Sequence, residues 1–318
     1  MEKAVVTGAA GFIGSHLCER LLADGFDVVG VDSLTDYYDT RIKEGNLRDL
    51  RGHRRFSFIG ESLNSMDLPS LLDGASVVFH QAAQAGVRAS WGKNFEEYID
   101  CNIRTTQRLL EAAVEHPVNK FVYASSSSVY GETAELPMKE SHATRPVSPY
   151  GVTKLAGENL CLLYNKCHAV PVVALRYFTV YGPRQRPDMA FHKFIRKTLA
   201  GEPVDVYGNG SQTRDFTYVD DIINANLLAA RYQGTETVFN IGGGSRVSLN
   251  VVLDLLNERL NGKLNVRYSD PVRGDVTHTF ADIDAARREL GYAPTVGIGD
   301  GLPHEVEWVE HLYRKLDV

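Results

Sequence analysis

Tyr150-Gly-Val-Thr-Lys154 places a phenol and an ammonium four residues apart. On a helix, positions i and i+4 share a face, so both side chains reach one ligand. A free tyrosine, with a pKa near ~10, is a poor base at neutral pH, and a nearby cation favours its phenolate. The pair is a candidate proton acceptor, although Tyr and Lys at this spacing also occur as ordinary helix surface. A second group stands near the start of the chain. Thr7-Gly8-Ala-Ala-Gly11-Phe12-Ile13-Gly14 sets three glycines as G-x-x-G-x-x-G between an apolar run and a helical pattern. The early glycines permit tight turning and close backbone approach to a pyrophosphate, and the last lets the helix pack closely on a sheet. The helix start adds N–H donors and partial positive charge. Asp32 follows 18 residues after Gly14, at the end of the second apolar run. A carboxylate there accepts from an adenosine ribose and repels a 2′-phosphate, which favours NAD over NADP; a turn cap is its plainer use.

These groups need a scaffold that alternates strands and helices. Short apolar runs at 4–7, 27–32, 56–59, 76–80, 120–124 and 172–177 read as strands, and helical patterns cover 13–24, 95–116 and 148–166. Such alternation predicts right-handed βαβ crossovers and an α/β fold, a doubly wound parallel sheet of the Rossmann kind covered on both faces. Beyond Tyr177 the rhythm loosens, with Gly182-Pro183, Gly208-Asn209-Gly210, Gly242 to Gly244, Pro271 and Pro294 between shorter elements. The expected division is a nucleotide-binding domain of 1–177, with 219–243 returning to it, and a smaller C-terminal α/β lobe of 178–218 and 244–318.

Composition narrows the classes. With 34 Lys+Arg against 40 Asp+Glu in 318 residues, the mild acidic balance leaves no electrostatic footprint for nucleic acid or an anionic membrane. No apolar run approaches the ~20 residues of a transmembrane helix. The start, Met-Glu-Lys-Ala-Val-Val, runs directly into a strand, so no signal peptide is expected. Cys18, Cys101, Cys161 and Cys167 form no C-x-x-C pair and sit in apolar helical contexts. Buried structural thiols are expected, with no disulfide or metal site, in a reducing cytoplasm.

Further motifs connect these groups: His80-Gln-Ala-Ala83, Ser125 to Tyr130-Gly131, Arg176-Tyr-Phe178, Arg214-Asp-Phe216 and Arg273-Gly-Asp275. With the glycine turn, Asp32 and Tyr150-x3-Lys154, their order and spacing resemble the extended short-chain dehydrogenase/reductases of the nucleotide-sugar epimerase and dehydratase group, over nearly the full chain. The resemblance implies that Tyr150 is the base, Lys154 holds the nicotinamide ribose and Ser126 hydrogen-bonds the sugar oxygen. It implies a cofactor groove lined by Gly8, Gly11, Phe12, Ile13, Gly14, Ala82 and Ala83, with Asn102 bracing the site and Phe178 packing near the nicotinamide. Arg214 and Arg273, with Asp275 beside the latter, fall where the family clamps the diphosphate of a UDP-sugar, a task suited to the guanidinium fork. Surface salt bridges are the commoner fate of an arginine. Many relatives hold the adenine edge with an Asp after the third strand. Here Gly60-Glu61-Ser62-Leu63 leaves that contact open between Glu61 and Ser62.

The family's reactions share a first step, in which Tyr150 takes the proton of the sugar 4-OH and C4 becomes a ketone. Dehydratases of the family carry an Asp-Glu pair just before Val-Tyr-Gly, and decarboxylases of UDP-glucuronate a Glu. This chain has Ser127 and Ser128, which cannot act as carboxylate acids or bases, so simple epimerisation remains. Thr179-Val-Tyr-Gly-Pro-Arg-Gln-Arg186-Pro-Asp-Met189 is similar to the pattern of UDP-glucuronate 4-epimerases, as are Asp32-x3-Asp36-Tyr-Tyr-Asp39 and Ala85-Gly86-Val87-Arg88. A sugar carboxylate needs a cation and hydroxyls, which Arg186, Ser127, Ser128 and Thr179 would supply, with Arg88 and Met189 nearby. Other expectations compatible with the motifs are a UDP-glucose or UDP-N-acetylglucosamine 4-epimerase, a decarboxylase or 4,6-dehydratase lacking its carboxylates, or a non-catalytic NAD-sensing protein. His192 either touches uracil or phosphate or is a packing histidine. Segments 95–116 and 148–166 resemble the pair that forms a four-helix bundle between two subunits, which implies a homodimer.

Overall fold

The computed structural model describes residues 2–133, 135–270 and 276–316. In chain order its strands are β1 (Lys3–Thr7), β2 (Asp27–Val31), β3 (Phe56–Ile59), β4 (Ala75–His80), β5 (Lys120–Ser126), β6 (Val172–Tyr177), β7 (Thr179–Tyr181), β8 (Val204–Tyr207), β9 (Thr213–Tyr218), β10 (Val238–Ile241), β11 (Arg246–Ser248) and β12 (Val266–Ser269). The helices are α1 (Phe12–Ala23), α2 (Thr40–Arg51), α3 (Leu68–Leu72), α4 (Phe95–Tyr98), α5 (Thr105–Glu115), α6 (Pro149–His168), α7 (Ala190–Leu199), α8 (Val219–Arg231), α9 (Leu249–Arg259) and α10 (Ile298–Leu316).

The main sheet has seven strands in the order β10-β6-β5-β4-β1-β2-β3, all parallel. Its central strands are mostly apolar and buried, and β6 is buried at every residue, as a sheet covered on both faces requires. Successive side chains feed opposite cores. Val6 and Phe79 join the cluster around Leu17 and Leu21 of α1, while Val5 and Val78 join Leu109 and Leu110 of α5. Strand register then aligns the carboxyl ends: Thr7 is level with Val31 and His80, and Ser126 with Tyr177. The loops carrying Gly8, Asp32, Ala82 and Ser127 consequently open on one edge, at the switch point between β1 and β4 where such folds bind ligands.

The later elements build beside this edge. Strands β11, β9 and β7 form a three-stranded sheet, β12 pairs with β8, and α10 packs on α7 and α9. Among the described residues no helix is long and apolar enough to cross a membrane.

Two local features depart from the sequence expectation. Helix α2 lies in a segment assigned no element, because Ile42, Leu47 and Leu50 are its buried apolar residues on an otherwise polar helix. The helix expected over 95–116 is interrupted by a wider π turn at Ile99–Arg104, between α4 and α5. The thiols also differ from expectation. Cys18 and Cys161 are buried, but Cys101 is half-buried and Cys167 is exposed near the end of α6, where the apolar face has turned away.

Candidate active site

The turn after β1 is shaped by close approach of backbone. Gly8 has φ +70°, and a Cβ there would stand 2.9 Å from the Ala82 nitrogen. A Cβ on Gly14 would stand 2.1 Å from the Gly8 carbonyl oxygen, so α1 begins in direct contact with the turn. Helix α1 has Gly11 at its N-cap, no side-chain cap and no acidic residue in its first turn. Its first N–H groups therefore face the cleft with positive partial charge. Gly8, Gly11, Phe12, Ile13, Gly14, Asp32, Ala82 and Ala83 line that cleft, as do both Glu61 and Ser62. Asp32 serves two ends, since its carboxylate accepts from Leu34 N at 2.8 Å and Ala10 N at 3.1 Å while lining the cleft. This cradle, with its uncapped helix and its carboxylate, fits a dinucleotide.

Tyr150 and Lys154 line the same cleft from α6, whose start is set by Pro149 and by Ser148, the hydroxyl of which accepts from Gly151 N at 3.1 Å. Lys154 is buried, donates to the Ala124 carbonyl at 2.7 Å and lies 5.2 Å from the centre of the Tyr123 ring. Burial pulls its pKa down to about 8, with nearby Arg186 acting in the same direction. Burial likewise raises the Tyr150 phenol, and the groups opposing that rise are the Arg186 guanidinium and the Ser126 hydroxyl. The spacing argument puts Lys154 forward as the cation that acidifies the phenol. In the folded chain the Arg186 guanidinium is a second cation in the cleft, a permanent charge that opposes the effect of burial on the phenol. Tyr98 meets the Tyr150 ring edge-on at 6.4 Å.

Arg186 is itself held. Its Nε and Nη2 donate to the two carboxylate oxygens of Asp188 at 2.9 and 3.0 Å, and the Tyr37 hydroxyl donates to Asp188 at 3.3 Å. The turn bearing Arg186 is fastened to α1 by His16 with the Pro183 carbonyl and by Arg184 with Glu19 and Ser15. Asp188 and Tyr37 fall within motifs quoted from the sequence, which assigned neither a role. The Arg186-Pro-Asp188 spacing is a weak signal, since i,i+2 pairing depends on the turn.

Several expected contacts are placed elsewhere. Asn102 is buried behind the cleft, where its amide pairs with Gln84 N at 2.8 Å, Gln84 O at 3.0 Å and the Thr153 hydroxyl at 2.9 Å. It braces the cleft wall through the Gln84 backbone. Phe178 is in the core against Tyr130, and Tyr177 lines the cleft instead. His192 is fully buried between the Gln185 carbonyl and the Tyr313 hydroxyl, and burial lowers its pKa to about 4; it is a packing histidine. The Arg214 guanidinium donates to the carbonyls of Thr213, Val276 and Thr277. Arg88 stacks 4.4 Å from the Tyr207 ring centre. Ser126, Ser127 and Ser128 sit half-buried at the end of β5, where the Ser126 hydroxyl accepts from Ser128 N at 3.1 Å. The Ser126 hydroxyl is hydrogen-bonded to the Tyr150 phenol, while Ser127, Ser128, Thr179, Met189, Arg88 and Arg214 do not line the cleft beside the glycine turn. Arg273 and Asp275 fall outside the described residues.

Residues 4–242 match the model of the NAD dependent epimerase/dehydratase family. An uncharacterised UDP-glucose epimerase of Bacillus subtilis (strain 168), YtcB, is 46% identical over 98% of this chain and 99% of its own length. A UDP-glucuronate 4-epimerase of Thermodesulfobacterium geofontis (strain OPF15) is 37% identical over 96% of this chain and 95% of its own. Among solved structures, the UDP-glucuronic acid 4-epimerase of Bacillus cereus in complex with UDP-glucuronic acid and NAD superposes with a TM-score of 0.94. It is 45% identical and covers 98% of this chain and all of its own.

Proposed function

The chain belongs to the NAD dependent epimerase/dehydratase family, and we propose that it inverts C4 of UDP-glucuronate to form UDP-galacturonate. The observation that carries this reading is the Arg186 guanidinium in one cleft with Tyr150, beside a β5 end that offers hydroxyls and no carboxylate. A cation fits a substrate carboxylate, and the missing acid removes dehydration and decarboxylation. The 45% identity to an enzyme whose structure contains both UDP-glucuronic acid and NAD supports the same substrate.

In this reading Gly8, Gly11, Phe12, Ile13, Gly14, Asp32, Ala82 and Ala83 hold NAD, which supplies the acceptor and later the donor of the C4 hydride. Tyr150 takes the 4-OH proton and returns it, Ser126 orients the sugar oxygen, and Lys154 binds the nicotinamide ribose. Arg186, Ser127, Ser128 and Thr179 hold the C6 carboxylate away from the geometry that releases CO₂ from a 4-keto acid. Arg214, with Arg273, takes the diphosphate. The chain divides into 1–177 with 219–243 and 178–218 with 244–318, supported by the pairing of β10 with β6. A cytoplasmic homodimer is proposed, with α5 and α6 forming half of a four-helix bundle. Val152 and Leu163, exposed on one face of α6, support that interface. The dimer is tested by molar mass in solution, with Leu163→Glu expected to be monomeric.

The activity is tested by incubating the protein with UDP-glucuronate and no added NAD beyond a catalytic amount, then following C4 inversion by NMR. Formation of UDP-galacturonate is expected. Inversion of UDP-glucose without inversion of UDP-glucuronate refutes the reading in favour of a UDP-glucose 4-epimerase; the relative YtcB is itself named a UDP-glucose epimerase.

A further inference from the structure

We infer that Asp188 is a positioning and specificity-determining residue, an internal counter-ion that presents one edge of Arg186 to the C6 carboxylate of the sugar. The inference rests on the uronate reading above.

The guanidinium has two donor edges. Asp188 takes the Nε–Nη2 edge with two near-parallel hydrogen bonds, a geometry that locks the plane of the fork. Among the described residues, Nη1 has no hydrogen-bond partner, and Arg186 lines the cleft with Tyr150 while Asp188 stands outside that lining. The anchor is itself anchored, because Tyr37 donates to Asp188 from the segment after β2. Burial pushes the Asp188 carboxyl up, but Arg186 and the hydrogen bonds outweigh it, so the net direction is down and the group stays ionised. The Tyr37 hydroxyl lies close over the Gly86 backbone. A Cβ on Gly86, which has φ +108°, would stand 2.5 Å from its hydroxyl.

Two consequences follow for an anionic substrate. Asp188 and a sugar carboxylate flank one guanidinium, so their like charges repel and ground-state binding is weakened. The same clamp keeps the remaining edge from swinging, so the carboxylate is held in one orientation while C4 is a ketone. A neutral hexose feels neither effect. Asp188 therefore trades affinity for orientation, and only toward uronates.

The experiment uses NAD-loaded protein. Calorimetric titration with UDP-glucuronate, UDP-glucose and UDP is compared for wild type, Asp188→Asn and Tyr37→Phe, alongside kcat and the UDP-pentose to UDP-galacturonate ratio. Asp188→Asn is expected to bind UDP-glucuronate about tenfold more tightly, with UDP-glucose and UDP unchanged. Its kcat on UDP-glucuronate should fall about tenfold, and the UDP-pentose fraction should rise. Tyr37→Phe, which leaves the Asp188 charge in place and loosens only its anchor, should leave UDP-glucuronate affinity unchanged while kcat falls and the UDP-pentose fraction rises by a factor of about two to three. Equal changes for all three ligands, weaker uronate binding or an unchanged product ratio overturn the role of Asp188. Wild-type protein that does not invert C4 of UDP-glucuronate instead removes the substrate reading, whatever the variants do.

Discussion

Lys154 is a charged group held where charge is disfavoured, so replacing it should stabilise the fold while removing function. Its side chain is 4% exposed, its pKa falls from 10.5 to about 8, and the first cause is burial. That displacement corresponds to about 3 kcal/mol of strain on the ammonium at neutral pH. Lys154→Met keeps the length of the side chain and removes the charge. It also removes the hydrogen bond to the Ala124 carbonyl, which offsets about 1 kcal/mol. A net gain of about 2 kcal/mol at pH 7 is expected, seen as a rise in Tm of roughly 4 °C for cofactor-free protein in a chain of this size. The pH dependence has a definite sign. Unfolded lysine keeps its proton up to pH 10.5 and folded Lys154 only up to about 8, so the unfolded state binds more protons between these values. Wild-type stability therefore gains on the variant as pH rises through that window, and the difference closes or reverses by pH 10.5. Thermal unfolding of both proteins from pH 6.5 to 10.5 measures it, with other titrating groups cancelling in the difference. C4 inversion should fall at least a hundredfold in the variant. A variant less stable than wild type at pH 7, or a difference that stays flat with pH, refutes this account.

Arg186→Ala should raise the UDP-pentose to UDP-galacturonate ratio or abolish uronate binding; unchanged turnover of UDP-glucuronate contradicts its role. Gly14→Ala forces a Cβ to within 2.1 Å of the Gly8 oxygen, and the resulting shift of about 1 Å at the phosphate cradle should weaken NAD binding about a hundredfold by fluorescence titration. Glu158→Gln breaks a buried ion pair with Arg176, whose Nη2 lies 2.6 Å from the carboxylate, and strands its partner's charge. Urea unfolding should show a loss of about 3–5 kcal/mol.

The parallel sheet and the cofactor end were legible because their signals are local. A glycine turn between strand and helix, an acid at the end of β2 and a Tyr-x3-Lys helix each express backbone geometry over a few residues. Helix α2 was not legible, since burial of three apolar residues on a polar helix is decided by the sheet beneath it. The π turn at Ile99–Arg104 was hidden for a similar reason. Its side chains remain helical in pattern, while in the fold the turn carries Asn102, whose amide pairs with the Gln84 backbone.

By itself the sequence determined what could bind and what could not react. The glycine spacing, Asp32, and Ser127 and Ser128 in place of acids are statements about residue identity at positions that local geometry already constrains. Tertiary structure alone brought a second cation to the phenol. Arg186 lies 36 residues from Tyr150 in the chain, yet the turn fastened to α1 brings it into the cleft with Asp188 behind it. Coulombic influence depends on separation and burial in space, neither of which is carried by spacing along the chain.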